Sequence, residues 1–198
     1  MAQHTIDLPC IADTYIDSTA PYTNYGASTA VWCGSYGGST QVYALLKFDF
    51  SSLPLRKKII SVSLRFYNLE DINGNIYTHL HIIDEEKEDD YWDWYEGLAT
   101  WNNTISDSIE YKEYPCFLGF SADYYHDLPL PTELLFSEKF RKYGLWFRWA
   151  KKKASGDNVY EVLEFASRES SNPPMLRVVY EDAPPDAPTP IISIHAPH

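Results

Sequence analysis

The chain has 198 residues, enough for one domain that buries a full core, and its 28 acidic against 16 basic side chains give a formal net charge of -12. That charge repels phosphate backbones and speaks against nucleic-acid binding, and no apolar stretch approaches the ~20 residues of a membrane helix. Cys10, Cys33 and Cys116 are odd in number and lack CxxC spacing, so they read as buried thiols and signal neither a disulfide framework nor a zinc site.

The N-terminal "MAQHTIDLPC" has no basic region followed by an apolar run, so no secretory signal is expected. The first strand is followed by a polar, aromatic stretch, "DTYIDSTAPYTNYGAS" (Asp13 to Ser28). Asn24 and Gly26 are candidates for the positive φ of a tight turn, and Tyr25 for packing over the end of the fold. In "YALLKFDF", Ala44, Leu46, Phe48 and Phe50 share one strand face; Val62, Leu64 and Phe66 do the same in "SVSLRFYN". "GLWFRWA", "VYEVLEFAS" and "MLRVVYE" read as further strands, and Asn73-Gly74 as a hairpin turn. One segment predicts a helix: Pro131 to Gly144, capped by Thr132 and stopped at Gly144. Five prolines after Asp182 then favour an extended tail. The expectation is an all-β protein, an antiparallel β-sandwich of jelly-roll type with one short helix and an extended Pro-rich tail. The domain occupies residues 1–182 and the C-terminal arm 183–198.

Two patterns invite a metal reading. His79 and His81 share a strand face, with Glu85 or Glu86 following at roughly cupin spacing, but the later histidine of a cupin site is absent. Leu80 and Ile82 take the core phase, so the histidines are expected on a solvated face. The run "DEEKEDD" (Asp84 to Asp90) reads as a hydrated loop, with calcium as the alternative. No nucleophile elbow, phosphate loop or HExxH occurs, so no catalytic residue, resident metal or cofactor is expected.

The aromatic content, 16%, exceeds what a core alone demands, and aromatic rings stack on sugars. If Leu145, Phe147 and Trp149 are core, Trp146 and Arg148 face outward, placing an indole beside a guanidinium that can hold a carboxylate or sulfate. "YWDWYEG" and "ADYYHD" read as aromatic loops, adding Trp94 and Tyr125 to a candidate carbohydrate-binding set of Trp146, Arg148, Trp94 and Tyr125. In the tail, Ile191, Ile192 and Ile194 are candidate partner-docking residues.

Four stretches carry a resemblance. "ADTYID" with "PYTNYGAS", "ALLKFDFSSLP", "ATWNN" and "FASRESSNPPMLRVVY" occur in the order found in the DNRLRE-domain family. That family of β-sandwich domains is related to disaggregatase-type modules and to alginate-binding carbohydrate modules. The resemblance spans Ala12 to Tyr180 and implies a sandwich whose Asn-Tyr-Gly segment is a structural turn. Two functions remain open at this level. The first is a non-catalytic structural or adhesion protein of a phage particle, such as a head or tail decoration or fibre component. It would be made in the host cytoplasm, reside in the virion as a homo-oligomer, dock other structural proteins through its arm and contact host-surface polysaccharide. The alternative is an extracellular carbohydrate-binding module of a polysaccharide-degrading system.

Overall fold

A computed structural model describes residues 2–36, 40–53, 57–70, 76–83, 94–104, 111–118, 122–149 and 162–182. Among the described residues ten strands carry the fold: β1 (Gln3–Asp17), β2 (Ala30–Tyr36), β3 (Thr40–Phe48), β4 (Lys58–Asn68), β5 (Ile76–Ile83), β6 (Tyr111–Leu118), β7 (Tyr124–Leu130), β8 (Leu145–Trp149), β9 (Val162–Ala166) and β10 (Met175–Glu181). All the pairings are antiparallel. The all-β antiparallel expectation holds. Asn73-Gly74, the acidic run and the C-terminal arm with Ile191, Ile192 and Ile194 lie outside the described residues.

The 15-residue β1 organises the sandwich. Its first half pairs with β10, Asp7 opposite Arg177, and its second half with β3, Thr14 opposite Leu45. The register shifts between Cys10 and Ala12, where a bulge turns the strand from one layer into the other. In the first layer β10 is followed by β4 and then β7; in the second, β3 is followed by β8, β5 and β6. β2 pairs with the start of β3, and β9 joins β2 to the end of β4 through Asn68 and Phe165, closing a circuit of six strands.

Between the layers lies the main core. Ala44, Leu46 and Phe48 of β3, Val62, Leu64 and Phe66 of β4, and Leu145 and Phe147 of β8 all enter it, as alternation predicts, and Phe50 packs against it. Cys10 and Cys33 are buried there too, and burial pushes both thiols up; the nearby Asp13 carboxylate adds to the shift at Cys10. The predicted helix is two pieces. A 3-10 turn, Thr132–Phe136, begins after Pro131 without a side-chain cap, so Thr132 is not the cap expected. Ser137 breaks the run and caps α2 (Glu138–Tyr143): its hydroxyl accepts the Phe140 N–H at 2.9 Å. α2 stops at Gly144, whose φ of 77° favours glycine.

A second cluster lies on the opposite face of β3 and β8. Ile16, Tyr43, Leu45 and Trp146 are covered by Trp94 and Ala99, with Ala12 and Trp101 packed at its margin. The cover is a strap, residues 94–104, that ends in the single turn α1 (Trp101–Thr104). This second face was expected to be solvated and is not. Both faces of β3 and β8 are therefore apolar, and the simple inside–outside alternation fails there.

Candidate functional site

Trp146 has the phase predicted for it, opposite to Leu145 and Phe147, yet it is only 2% exposed because the strap lies over it. The open Trp146 surface expected from sequence does not exist. His81, opposite Trp146 in the β5–β8 register, is buried as well, so the solvated face expected for it is corrected. Trp94 is 4% exposed and donates its Nε1–H to the Tyr143 carbonyl at 2.8 Å; it is a clamp under the strap, not an exposed ring. For Arg148 the structure describes only the backbone, in β8 opposite His79.

Tyr125 stands on β7, since "ADYYHD" runs into a strand and is not the loop expected. Its ring is half-buried on the outer face of the first layer, edge-on to Tyr67 at 5.2 Å, with the Arg65 guanidinium carbon 4.6 Å from its centroid. An aromatic ring beside a guanidinium thus occurs, but on Tyr125 and Arg65. That guanidinium is already committed: Arg65 Nη1 pairs with Asp127 Oδ2 at 2.6 Å, and Arg177 binds Asp7 through two bonds of 2.8 Å. The face is a neutralised ladder of charges.

A different surface forms where the four recognised stretches meet. Asn24 is the first link. Its amide Nδ2 donates to the Glu96 carbonyl at 2.6 Å and to the Ala99 carbonyl at 2.9 Å, and the Asn102 N–H donates to the Pro21 carbonyl at 2.9 Å. The polar turn after β1 is thereby stitched along the strap. Gly26 is required for closeness and not for a positive φ, which neither it nor Asn24 has. A Cβ there would overlap the Glu96 carbonyl oxygen. Tyr25 stacks on Tyr15 with centroids 4.1 Å apart and packs against the main core.

Charge fixes the strap from the other side. Arg168, in the turn after β9, donates Nε–H to Glu96 Oε1 at 2.8 Å and Nη2–H to Glu96 Oε2, while Nη2 lies 2.9 Å from Glu169 Oε1. Glu96 Oε1 also accepts the Asp13 N–H at 2.8 Å, and Asp13 Oδ2 accepts the Arg168 N–H at 2.7 Å. Oxygens of Asp13, Glu96 and Glu169 lie within 4.8 Å of one another, a spacing that suits a cation, and the Arg168 guanidinium supplies the positive charge among them. Burial raises the Asp13 pKa to about 7; Glu169 and Glu96 add to the rise, against the Arg168 N–H, which favours the ion. Lys47 of β3 completes the clasp: its ammonium donates to the Trp94 carbonyl at 2.7 Å and lies 4.7 Å from the Trp94 ring centroid.

Held this way, the strap and the adjoining turn display apolar surface to solvent. Seven large hydrophobic side chains are exposed among the described residues, and three of them stand here: Tyr22 (79%), Tyr95 (64%) and Leu98 (67%). The turn that carries Tyr22 and the strap that carries Tyr95 and Leu98 are bonded to each other through Asn24 and Pro21. Sequence reasoning passed near it, through "YWDWYEG" and the polar turn, but chose Trp94 over Tyr95. The Asp13–Glu96–Arg168–Glu169 clasp was missed, its members being scattered along the chain. The only signal was that "ADTYID" and "SRE" are both among the recognised stretches.

Fold and surface together define an antiparallel β-sandwich module that presents Tyr95 from a pinned strap and Tyr22 from the turn bonded to it. The chain belongs to carbohydrate-binding module family 96, whose model matches residues 4–180. This supports the carbohydrate-binding side of the resemblance; it carries neither the DNRLRE name nor a phage origin. No curated protein matches the chain.

Proposed function

We propose that the protein is a non-catalytic module that binds polysaccharide through the strap surface of Tyr95, Leu98 and Tyr22. The observation that carries this reading is the family match over residues 4–180. The exposed tyrosines support a site on the strap, because a phenol ring offers a flat apolar face to sugar C–H groups and a hydroxyl to sugar oxygens. A platform of this kind works best when pre-organised, since ordering a loop on binding subtracts from affinity. The clasp and the Asn24 bonds supply that order in advance. The phage-particle reading draws on nothing in the fold or the family, and the carbohydrate-binding alternative takes its place.

Affinity electrophoresis of the full chain in gels containing single polysaccharides tests the proposal. At least one polysaccharide is expected to retard the protein, and Tyr95→Ala to weaken binding roughly tenfold, the equivalent of about 1.4 kcal/mol for a lost stacking contact. Retardation unchanged in both Tyr95→Ala and Tyr22→Ala would remove the site from the strap.

A further inference from the structure

We infer that Lys47 is the positioning residue for Tyr95: it fixes the peptide from which that ring is displayed and does not itself hold the ligand. This rests on the carbohydrate-binding reading above. Lys47 stands on β3 opposite Ala12 of β1, in phase with Tyr43 and Leu45, so its stem leaves the sheet on the covered face. Gly144 leaves room for that stem, since a Cβ there would lie 3.0 Å from Lys47 Cγ. The ammonium then donates to the Trp94 carbonyl at 2.7 Å. That oxygen belongs to the peptide joining Trp94 to Tyr95, and a planar peptide turns as a unit. Holding the oxygen therefore sets the plane from which Tyr95 leaves the strap.

The peptide on the other side of Tyr95 is fixed locally: its carbonyl accepts the Leu98 and Ala99 N–H groups, both at 2.9 Å. The turn thus ties its own downstream end, whereas the upstream end is tied from the sheet, by Lys47. A charged donor makes that tie stronger than a neutral one would. The same ammonium lies 4.7 Å from the Trp94 ring centroid and 5.9 Å from that of Tyr95. Both distances are within reach of a cation–π attraction, which draws the two rings toward one charge. Trp94 has no freedom to respond, being 4% exposed with its Nε1–H held by the Tyr143 carbonyl. Tyr95, 64% exposed, is the ring whose orientation this charge biases. Beyond it Glu96 is held separately, by Asn24 and Arg168, so loss of the Lys47 ammonium leaves the strap attached.

A double-mutant cycle in the full chain tests this, pairing Tyr95→Ala with Lys47→Met, which keeps the stem and loses the donor and the charge. Affinity electrophoresis against alginate, polygalacturonate, hydroxyethylcellulose and β-mannan supplies the binding readout. Lys47→Met is expected to bind about fivefold more weakly to whichever polysaccharide retards the parent, while still folded at the assay temperature. In the Tyr95→Ala background the same change is expected to do almost nothing, because no ring remains to be placed. Lys47→Arg, which restores a charged donor, recovers most of the loss. In Lys47→Met the Tyr95 amide resonance moves and the Trp94 indole N–H resonance stays, as befits a strap still docked. Equal losses in both backgrounds would mean that Lys47 meets the polysaccharide itself, and would overturn the inference while leaving the carbohydrate reading intact. Full binding by Lys47→Met, no recovery in Lys47→Arg, or a Met variant that fails to fold would do the same. Retardation of the parent by none of the four polysaccharides would overturn both.

Discussion

Arg168 Nε lies 2.8 Å from Glu96 Oε1, joining the turn after β9 to a strap 72 residues earlier in the chain. Two parallel bonds from a planar guanidinium fix direction as well as distance. Replacing Arg168 with alanine leaves three neighbouring carboxylates without their cation and frees the Glu96 side chain. The expected cost is about 2 kcal/mol, below that of a fully buried pair because solvent reaches the arginine. A merely structural role would stop there. As a positioning residue for Tyr95, Arg168 does more: Arg168→Ala weakens glycan binding at temperatures where the protein remains folded, and strap amides such as Leu98 and Ala99 exchange faster with solvent. Unchanged exchange at those amides would refute the clasp.

Asp13 gives the stability a definite pH dependence. Its ordinary pKa is 3.8 and its folded value is about 7, so between these pH values the folded chain holds a proton that the unfolded chain has released. The contribution is therefore fully present below pH ~4 and is lost as pH rises to about 7, a change on the order of 4 kcal/mol. Asp13→Asn keeps an oxygen for the Arg168 N–H and cannot titrate. Urea midpoints of the two proteins should converge at acid pH and diverge toward neutrality, with the Asn variant the more stable above pH 7. Parallel curves would show that Asp13 titrates normally.

Gly26 and Gly97 offer a matched pair. An alanine methyl at position 26 would overlap the Glu96 carbonyl oxygen and crowd its Cγ, whereas nothing lies within 4 Å of the same methyl at position 97. Backbone cannot yield as a side-chain tip can, so Gly26→Ala should cost about 1–3 kcal/mol and displace the strap. Gly97→Ala should be neutral or slightly stabilising. Thermal melts and glycan binding of both variants check this; equal behaviour would mean that the turn and the strap are not in contact.

What the sequence showed and what it hid follow from the range of the interactions. Strand phase is local, so Leu46, Leu64, Phe66, Leu145 and Phe147 could be placed in the core by counting residues. The break at Ser137 was hidden because a 3-10 turn and a helix share apolar spacing over so few residues, and only the Ser137–Phe140 bond separates them. Trp146 was read correctly in phase and wrongly in exposure. Alternation tells which residues share a face, but not whether a distant segment covers it. The clasp is the extreme case: Asp13, Glu96 and Arg168 adjoin only after β1, the strap and β9 are in place.

Trp146 tests the covered face directly. If its indole were part of an open binding surface, alanine would abolish ligand binding and leave stability nearly unchanged. Buried against Ile16, Tyr43, Leu45 and Trp94, it instead fills volume that no neighbour can reclaim. Trp146→Ala should cost about 3–5 kcal/mol, the range for emptying a large aromatic site. Trp94→Phe separates two contributions of the neighbouring ring. It retains most of the apolar contact but removes the buried hydrogen bond from Nε1–H to the Tyr143 carbonyl, 2.8 Å long. A loss of about 1–3 kcal/mol is expected, smaller than for Trp146→Ala. Denaturant unfolding gives both values, and a Trp146→Ala variant as stable as the parent would show that the strap does not seal this face.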